Sequence, residues 1–585
     1  MTPPAGNFKP FLRASLWLCG LAWTAPLLQP YHRFPLATFY SEWLAFALGL
    51  AAVLPLLRRE LWRELTVPLV ALAPLALLVV LAAQVALGRV PYAEQALTAG
   101  LYLLWAALLI VLGHVLRRGL ALAEIATTLA WFLLAGGVLN ALAGLAQHYH
   151  LASAVDFLVM RKEWAIIYGN LGQPNHYATA VSLSLASVAY LYSRRKLHGA
   201  LTAGCSALFL IVLALAASRS PWLYLAALIA LSQLLQRLRA DDGSRRLAVA
   251  AWWMLPGFVA AQWLVTLPFF APDGAVVLTS AERLFQVASG IAPRLELWGE
   301  AWQMFLGTPL LGAGFGQFAW HHFLQQGVSG PTTAPGVFNH AHNIVLHLMA
   351  ETGLAGAAIV VGAVLLWLID LRRAAFDPER WWLLALGAVI GIHSLLEYPL
   401  WYAYFLGMAA LLLGCGAERL LVVRFTGLAR AAAGLAVFVG CVNLAAVIPP
   451  YRDFERLVFS ADPGASRAIG DGAFARTMMQ VHREPLLTPY VELAFAYGAT
   501  VDAMQLEEKL ALVTRAAHFA PVDVVVYRYA LLLALAGERE AALAQFERSL
   551  RAYPDAAAAV TAELMELARR QPAEFTPLLE LTAAK

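Results

Sequence analysis

The stretch VPLVALAPLALLVVLAAQVAL, residues 67–87, carries one polar side chain, Gln84, in 21 positions. A helix of about 20 apolar residues reaches across the hydrocarbon core of a bilayer, and inside that core every backbone polar group must be bonded within the helix itself. The segment therefore reads as a membrane span. Twelve more segments obey the same rule, near 12–30, 36–57, 97–116, 122–147, 173–192, 200–218, 221–236, 248–270, 343–369, 381–398, 401–423 and 427–448. The expectation is an all-α, polytopic membrane bundle of thirteen spans. The first is an uncleaved anchor, because Lys9 and Arg13 precede it but no small-residue cleavage site follows.

Composition agrees. Of the 585 residues 61% are hydrophobic and 13% charged, with 18 Trp and a mean hydropathy of +0.66, whereas soluble chains average about 25% charged residues. Disorder, a secreted disulfide scaffold and an ordinary cytosolic enzyme are excluded. Cys19, Cys205, Cys415 and Cys441 lie in apolar runs with no CxxC pairing, so neither a zinc knuckle nor a redox pair is indicated.

Loop charge orients the bundle. With the N-terminus in the cytoplasm, 20 basic residues fall on the inner side and 7 on the outer side up to residue 448. The net charge of +4 follows from this loop topology and points to no nucleic-acid surface. Four regions result: N-terminal spans in 1–270, a large outer loop 271–342 with an amphipathic helix, C-terminal spans in 343–448, and a tail 449–585. In the tail 23% of residues are charged, against 10% before it, which marks a soluble domain on the outer side. Its segment ALLLALAGEREAALAQFERSLRAYP (530–554) has the spacing of a tetratricopeptide-like helix pair.

In so apolar a chain, polar clusters at the outer edge are candidates for function. Arg219 lies in the two-residue turn of SRSP (218–221); its bland alternative is an arginine snorkelling to headgroups. RLELWGEAWQMFLGTPLLGAGFGQF (294–318) opens on Arg294 behind Pro293, shows Leu295, Trp298, Trp302 and Phe305 on one face, and ends in a loop with Gly312, Gly314 and Gly316. Such a helix would lie in the outer membrane interface; the alternative is plain packing. NHAHNIVLHLMAETGLAG (339–356) puts His342 at a helix entrance, with Gly353 eleven residues on and about 16 Å deeper, where small residues would admit another helix. His321, His322, His340 and His347 raise a metal reading, but His342 and His347 are five apart and helical chelation wants i and i+4. HSLLEYPLWYAYFLG (393–407) holds Glu397 among Tyr398, Trp401, Tyr402 and Tyr404. Glu351, inside the tenth span and about 180° from His342 around the helix, is expected to pack against another span.

Two arginines, a histidine, a carboxylate and an aromatic rim on one side of the membrane suit an anionic lipid-linked substrate. Guanidinium groups grip phosphate oxygens bidentately, and an imidazole can take a proton from an incoming hydroxyl. The chain has no DxD motif, so a metal-bridged pyrophosphate is not called for.

The spacing His342-Asn343, nine residues, then Gly353-Leu354-Ala355-Gly356 resembles the H[NSQ]-x9-G-x-x-G signature of the O-antigen ligase and Wzy polymerase superfamily. GNLGQPNHYAT (169–179) resembles a signature of bacterial protein O-oligosaccharyltransferases of the PglL type, and residues 393–407 resemble the start of that group's C-terminal module. The resemblance covers roughly 160 to 560. It implies a GT-C-type glycosyltransferase, without metal or cofactor, that moves a preassembled glycan from undecaprenyl pyrophosphate to Ser or Thr of a periplasmic acceptor protein, a pilin for example. His342 matches the essential histidine, and Arg219 and Arg294 the arginines near the donor pyrophosphate. Asn343, Asn175, His176, Glu397 and Tyr402 are expected in donor or acceptor binding. The outer loop would close over the lipid, and the tail would help present the acceptor. These three groups, His342, Arg219 and Arg294, are expected to converge on one extracytoplasmic pocket. Ligation of O-antigen to lipid A core, repeat-unit polymerisation and, from another class, a transporter or flippase are the alternatives; a transporter would spread its polar residues through the bundle midplane.

Overall fold

The computed structural model describes residues 8–62, 65–163, 166–270, 279–285, 292–326, 336–373, 375–460 and 472–583. It is helical almost throughout. Helices of eight residues or more run α1 Lys9–Leu28, α2 Phe39–Val53, α3 Leu72–Ala86, α4 Ala93–Gly119, α5 Leu122–His148, α6 Pro174–Ser193, α7 Gly199–Leu215, α8 Ser220–Leu238 and α9 Asp242–Leu264. After them come α10 Ala292–Gly307, α11 Phe318–Gln325, α12 Ile344–Arg373, α13 Pro378–Ser394, α14 Ala403–Gly416 and α15 Thr426–Ser460. The tail adds α16 Gly472–Val481, α17 Thr488–Gly498, α18 Leu506–Phe519, α19 Asp523–Leu535, α20 Arg539–Ala552, α21 Ala557–Arg570 and α22 Pro572–Ala583.

Each of the thirteen stretches read as spans coincides with a helix. Among the described residues eight helical segments are long and apolar enough to cross a membrane: Lys9–Leu28, Phe39–Leu57, Leu69–Ala86, Ala93–Gly119, Leu122–His148, Asp242–Leu264, Ile344–Arg373 and Thr426–Val458. The shortfall has physical causes. The helix α14 is short because Leu420–Val422 leaves it to pair antiparallel with Thr66–Pro68, in the register Thr66 to Val422. By contrast α6 is long enough but polar, since it is enclosed by protein. Nearly all its residues are buried, and its hydroxyls satisfy themselves on the preceding turn, Ser182 Oγ on Ala178 O at 2.7 Å and Ser187 Oγ on Leu183 O at 2.9 Å. A helix that meets no lipid needs no lipid-facing hydropathy.

The chain forms two compact units. The first comprises 1–76, 102–287 and 359–444, and the second 77–101, 288–358 and 445–585. The core of the first is largely aliphatic and encloses Tyr177, Tyr190, Phe209, Tyr224, Phe258, Trp381 and Trp382, all fully buried. In the second, Leu297, Ala301 and Met304 of α10 join Phe318, Ala341 and Ala350 in one cluster. Trp320 and Phe323 of α11 join Val513, Ala516, Val525 and Val526 of the tail in another. The α19–α20 hairpin closes around Tyr527, Leu531, Phe546 and Leu550, where the helix–turn–helix pattern of 530–554 places it.

Candidate functional site

In the first unit, the functional segment begins where Gln173 caps α6 by accepting the His176 amide at 2.6 Å. That start projects Asn175 from the first turn. Its Nδ2 donates to Glu397 Oε1 at 2.9 Å, and its Oδ1 accepts Ser218 Oγ at 2.7 Å. One amide thus ties the loop after α13 to the turn that carries Arg219. Burial makes both bonds matter: Glu397 is 5% exposed and Ser218 1%, and a buried polar group left without a partner costs about 1–3 kcal/mol. Arg219 is the residue before α8 and is half-buried. Arg283 donates to Ala217 O at 3.1 Å, which places a second guanidinium against the same turn.

His176 is buried, with its ring edge-on to Tyr402 at 4.5 Å and to His393 at 5.4 Å. Thr179 bridges Tyr224 and His393 Nδ1, each at 2.9 Å. Asn175, His176, Glu397 and Tyr402, expected in substrate binding, are therefore one neighbourhood around the N-terminal turn of α6. Ser218, named from the sequence only as part of the polar turn around Arg219, belongs to it as well, as do Thr179, His393 and Arg283, to which no role was given from the sequence.

In the second unit, His342 occupies the turn before α12, in the left-handed region at φ 52°. Its backbone N–H donates to His340 Nδ1 at 3.0 Å. Asn343 caps the helix, its Oδ1 accepting the Val345 and Leu346 amides at 3.1 and 3.2 Å, a standard N-cap arrangement for Asn. His340 lies flat on His347, ring centroids 3.6 Å apart, and His347 Nε2 meets Glu351 Oε2 at 3.3 Å. The two oxygens of Glu351 also accept the Gly316 and Phe318 amides at 2.8 and 3.0 Å. Burial among His347 and His342 holds the His340 imidazole well below its usual pKa, so it stays neutral and keeps Nδ1 as an acceptor. Arg294, half-buried in the first turn of α10, sits one turn from Leu297, which shares the buried cluster of Ala341. The structure thus puts the helix of Arg294 against the turn of His342, while Arg219 belongs to the other unit.

Three expectations need correction. What approaches Gly353 is a loop, because α12 breaks there: Gly353 has φ 65° and ψ −166°. The freed amides of Leu354 and Ala355 are bonded by Pro309 O at 2.8 Å and Leu310 O at 3.2 Å. The break replaces the small-residue helix crossing foreseen below the histidine. In α10, Leu295 and Trp302 of the expected stripe are 56% and 44% exposed, Trp298 and Phe305 are half-buried, and the helix packs through Leu297, Ala301 and Met304. Plain packing therefore does not explain Leu295 and Trp302. Glu351, expected against another span, instead holds the glycine loop through the Gly316 and Phe318 amides. Its i,i+4 spacing from His347 was the missed signal.

A half-exposed imidazole on a braced turn, in a chain whose described residues include eight helices fit to cross a bilayer, defines a multi-pass membrane protein with an ordered polar site. Residues 204–361 match the O-antigen ligase family, 381–565 match the C-terminal part of the virulence factor membrane-bound polymerase family, and 167–192 match the protein glycosylation ligase family. Each of the three quoted motifs lies within one match. The chain is 31% identical over 404 residues, 68% of each chain, to the general O-oligosaccharyltransferase of Acinetobacter baylyi. It is 26% identical over 238 residues, 40% of this chain and 41% of the other, to the ComP-specific O-oligosaccharyltransferase of the same organism. The chain belongs to the O-oligosaccharyltransferase family.

Proposed function

We propose that the chain transfers a preassembled oligosaccharide en bloc from undecaprenyl pyrophosphate to a Ser or Thr hydroxyl of a periplasmic protein, such as a pilin. The similarity to the general O-oligosaccharyltransferase over 404 residues carries this reading. In the reaction the hydroxyl oxygen attacks the anomeric carbon, its proton passes to His342, and the bond from that carbon to the pyrophosphate oxygen breaks. Undecaprenyl pyrophosphate leaves with the electron pair and the anomeric centre inverts. Arg219 and Arg294 neutralise the charge on the leaving group, a role for which no metal is invoked. Asn343, Asn175, His176, Glu397 and Tyr402 take part in donor or acceptor binding. The protein lies in the inner membrane with thirteen spans, its N-terminus in the cytoplasm, its tetratricopeptide-like tail in the periplasm and the outer stripe of α10 in contact with lipid.

The deciding experiment is mass spectrometry of periplasmic proteins from a host that supplies one defined lipid-linked glycan. The wild type is expected to yield glycan-modified Ser or Thr, and His342→Ala to nearly abolish it while still accumulating in the membrane; loss of one charge contact in a transition state typically costs about 10²–10³ in rate. Wild-type occupancy in His342→Ala would end the assignment. The O-antigen ligase match favours one rival, ligation to lipid A core. Loss of ladder lipopolysaccharide with intact glycoproteins on deletion would favour it.

A further inference from the structure

We propose that His340 is a positioning residue that acts through His342, an inference that rests on the transfer reaction proposed above. His342 is held at φ 52°, a left-handed conformation that is unfavourable for a non-glycine residue and persists only where its surroundings over-determine it. The bond that does so is local: the His342 amide donates to Nδ1 of His340, two residues back, at 3.0 Å. This is the pattern of an Asx-turn, in which a side-chain acceptor captures the backbone N–H two residues on. Here an imidazole stands in for the usual Asn or Asp oxygen.

The imidazole is itself fixed from behind. It stacks on His347 at 3.6 Å, whose Nδ1 accepts the Ala341 amide at 3.4 Å. Two consecutive backbone amides, of Ala341 and His342, are therefore received by two stacked rings. The far edge of His347 rests on Glu351, which the Gly316 and Phe318 amides hold in turn. Each imidazole accepts through Nδ1, so each carries its proton on Nε2. The chain of contacts from the glycine loop to His342 fixes where the His342 ring is presented, and His340 is its last link. Asn343 completes the turn from the other side as the cap of α12.

The test compares two substitutions that separate acceptor from ring. His340→Phe keeps an aromatic ring for the stack and removes the acceptor. His340→Asn discards the ring and supplies an oxygen suited to the same i to i+2 bond. Both are assayed with His342→Ala for glycan occupancy of periplasmic proteins in the host with one defined lipid-linked glycan, at amounts matched by membrane immunoblot. The expected result is occupancy near wild type for His340→Asn and about ten- to a hundredfold less for His340→Phe, the scale of a misplaced catalytic group. A packing role predicts the reverse order. His340→Phe equal to or better than His340→Asn, or both variants at the level of His342→Ala, would overturn the proposal and leave the role of His342 standing. Full occupancy in His342→Ala would remove the underlying reading and this one with it. Should His340→Phe not accumulate, His340→Asn decides alone: wild-type occupancy supports positioning and loss refutes it.

Discussion

A β-carbon on Gly353 would stand 2.4 Å from the carbonyl carbon of Leu310. The backbone of the Pro309–Gly312 loop runs through the space that a side chain would fill. The contact is reciprocal, since a β-carbon on Gly312 would meet the Glu351 carbonyl carbon at 2.2 Å. Loop and broken helix are stitched by Ala313 N to Ala350 O at 2.9 Å and Gly314 N to Glu351 O at 3.0 Å. Gln84 adds bonds to Leu311 O and Glu351 O at 2.6 and 2.7 Å.

Gly353→Ala is therefore expected to lower the melting temperature in detergent and to reduce glycan transfer, because the φ and ψ of Gly353 are open essentially to glycine alone, at a cost of about 1–3 kcal/mol for other residues before any clash. Gly362→Ala, in the same helix with open space around it, should be neutral or stabilising by up to about 1 kcal/mol. Equal melting temperatures for the two variants would refute the loop–helix joint.

Asn175→Asp would place a second carboxylate at the 2.9 Å position beside Glu397, and like charges so close disfavour each other's ionised form. Occupancy of acceptor proteins should fall sharply in Asn175→Asp and recover in part when Glu397→Gln is added. Residues in direct contact couple non-additively. Purely additive losses in the double variant would show that the bond does not matter to transfer.

His518 stacks on Trp320 with ring centroids 4.1 Å apart, joining α18 to α11. Burial, with His321 nearby, depresses its pKa below the ordinary 6.5. The folded imidazole is neutral, so this stabilisation is complete above the ordinary pKa. It declines as pH falls from there through the depressed folded value, because the undocked state takes up the proton first. Amide exchange in 318–326 and 506–526, corrected for intrinsic rate, should accelerate between about pH 7.5 and about pH 5.5, and His518→Phe should flatten that change. Protection independent of pH in the wild type would contradict this.

The exposed stripe of α10 is expected to meet lipid. A nitroxide at position 302 should be relaxed by oxygen, and one at the neighbouring exposed Gln303 by a water-soluble nickel complex, because aromatic and polar faces partition to opposite sides of an interface. Equal water access at both positions would assign the stripe to some other partner.

Much of the architecture was legible in the residues taken in order. Apolar runs such as 67–87 and 122–147 became helices, and the 530–554 pattern became the α19–α20 pair. The site was legible only in part. His342 and Glu397 stood out as polar residues in apolar surroundings and Asn175 through the family resemblance, whereas His340 and His347 were noticed only as candidate metal ligands and Ser218 only as part of a polar turn. Glu351 was noticed for its position and not for what it holds.

The difference is one of range. Transfer of a side chain into hydrocarbon and the turn-by-turn rise of a helix are properties of neighbours in the chain, so the sequence by itself determined the helices and the motif that marks the family. Which side of α10 turns inward, what fills the gap at Gly353, and that Asn175 finds Glu397 across 222 positions were decided only by tertiary packing. Those contacts join segments whose local patterns carry no information about each other, and only the folded backbone brings their donors and acceptors within hydrogen-bond distance.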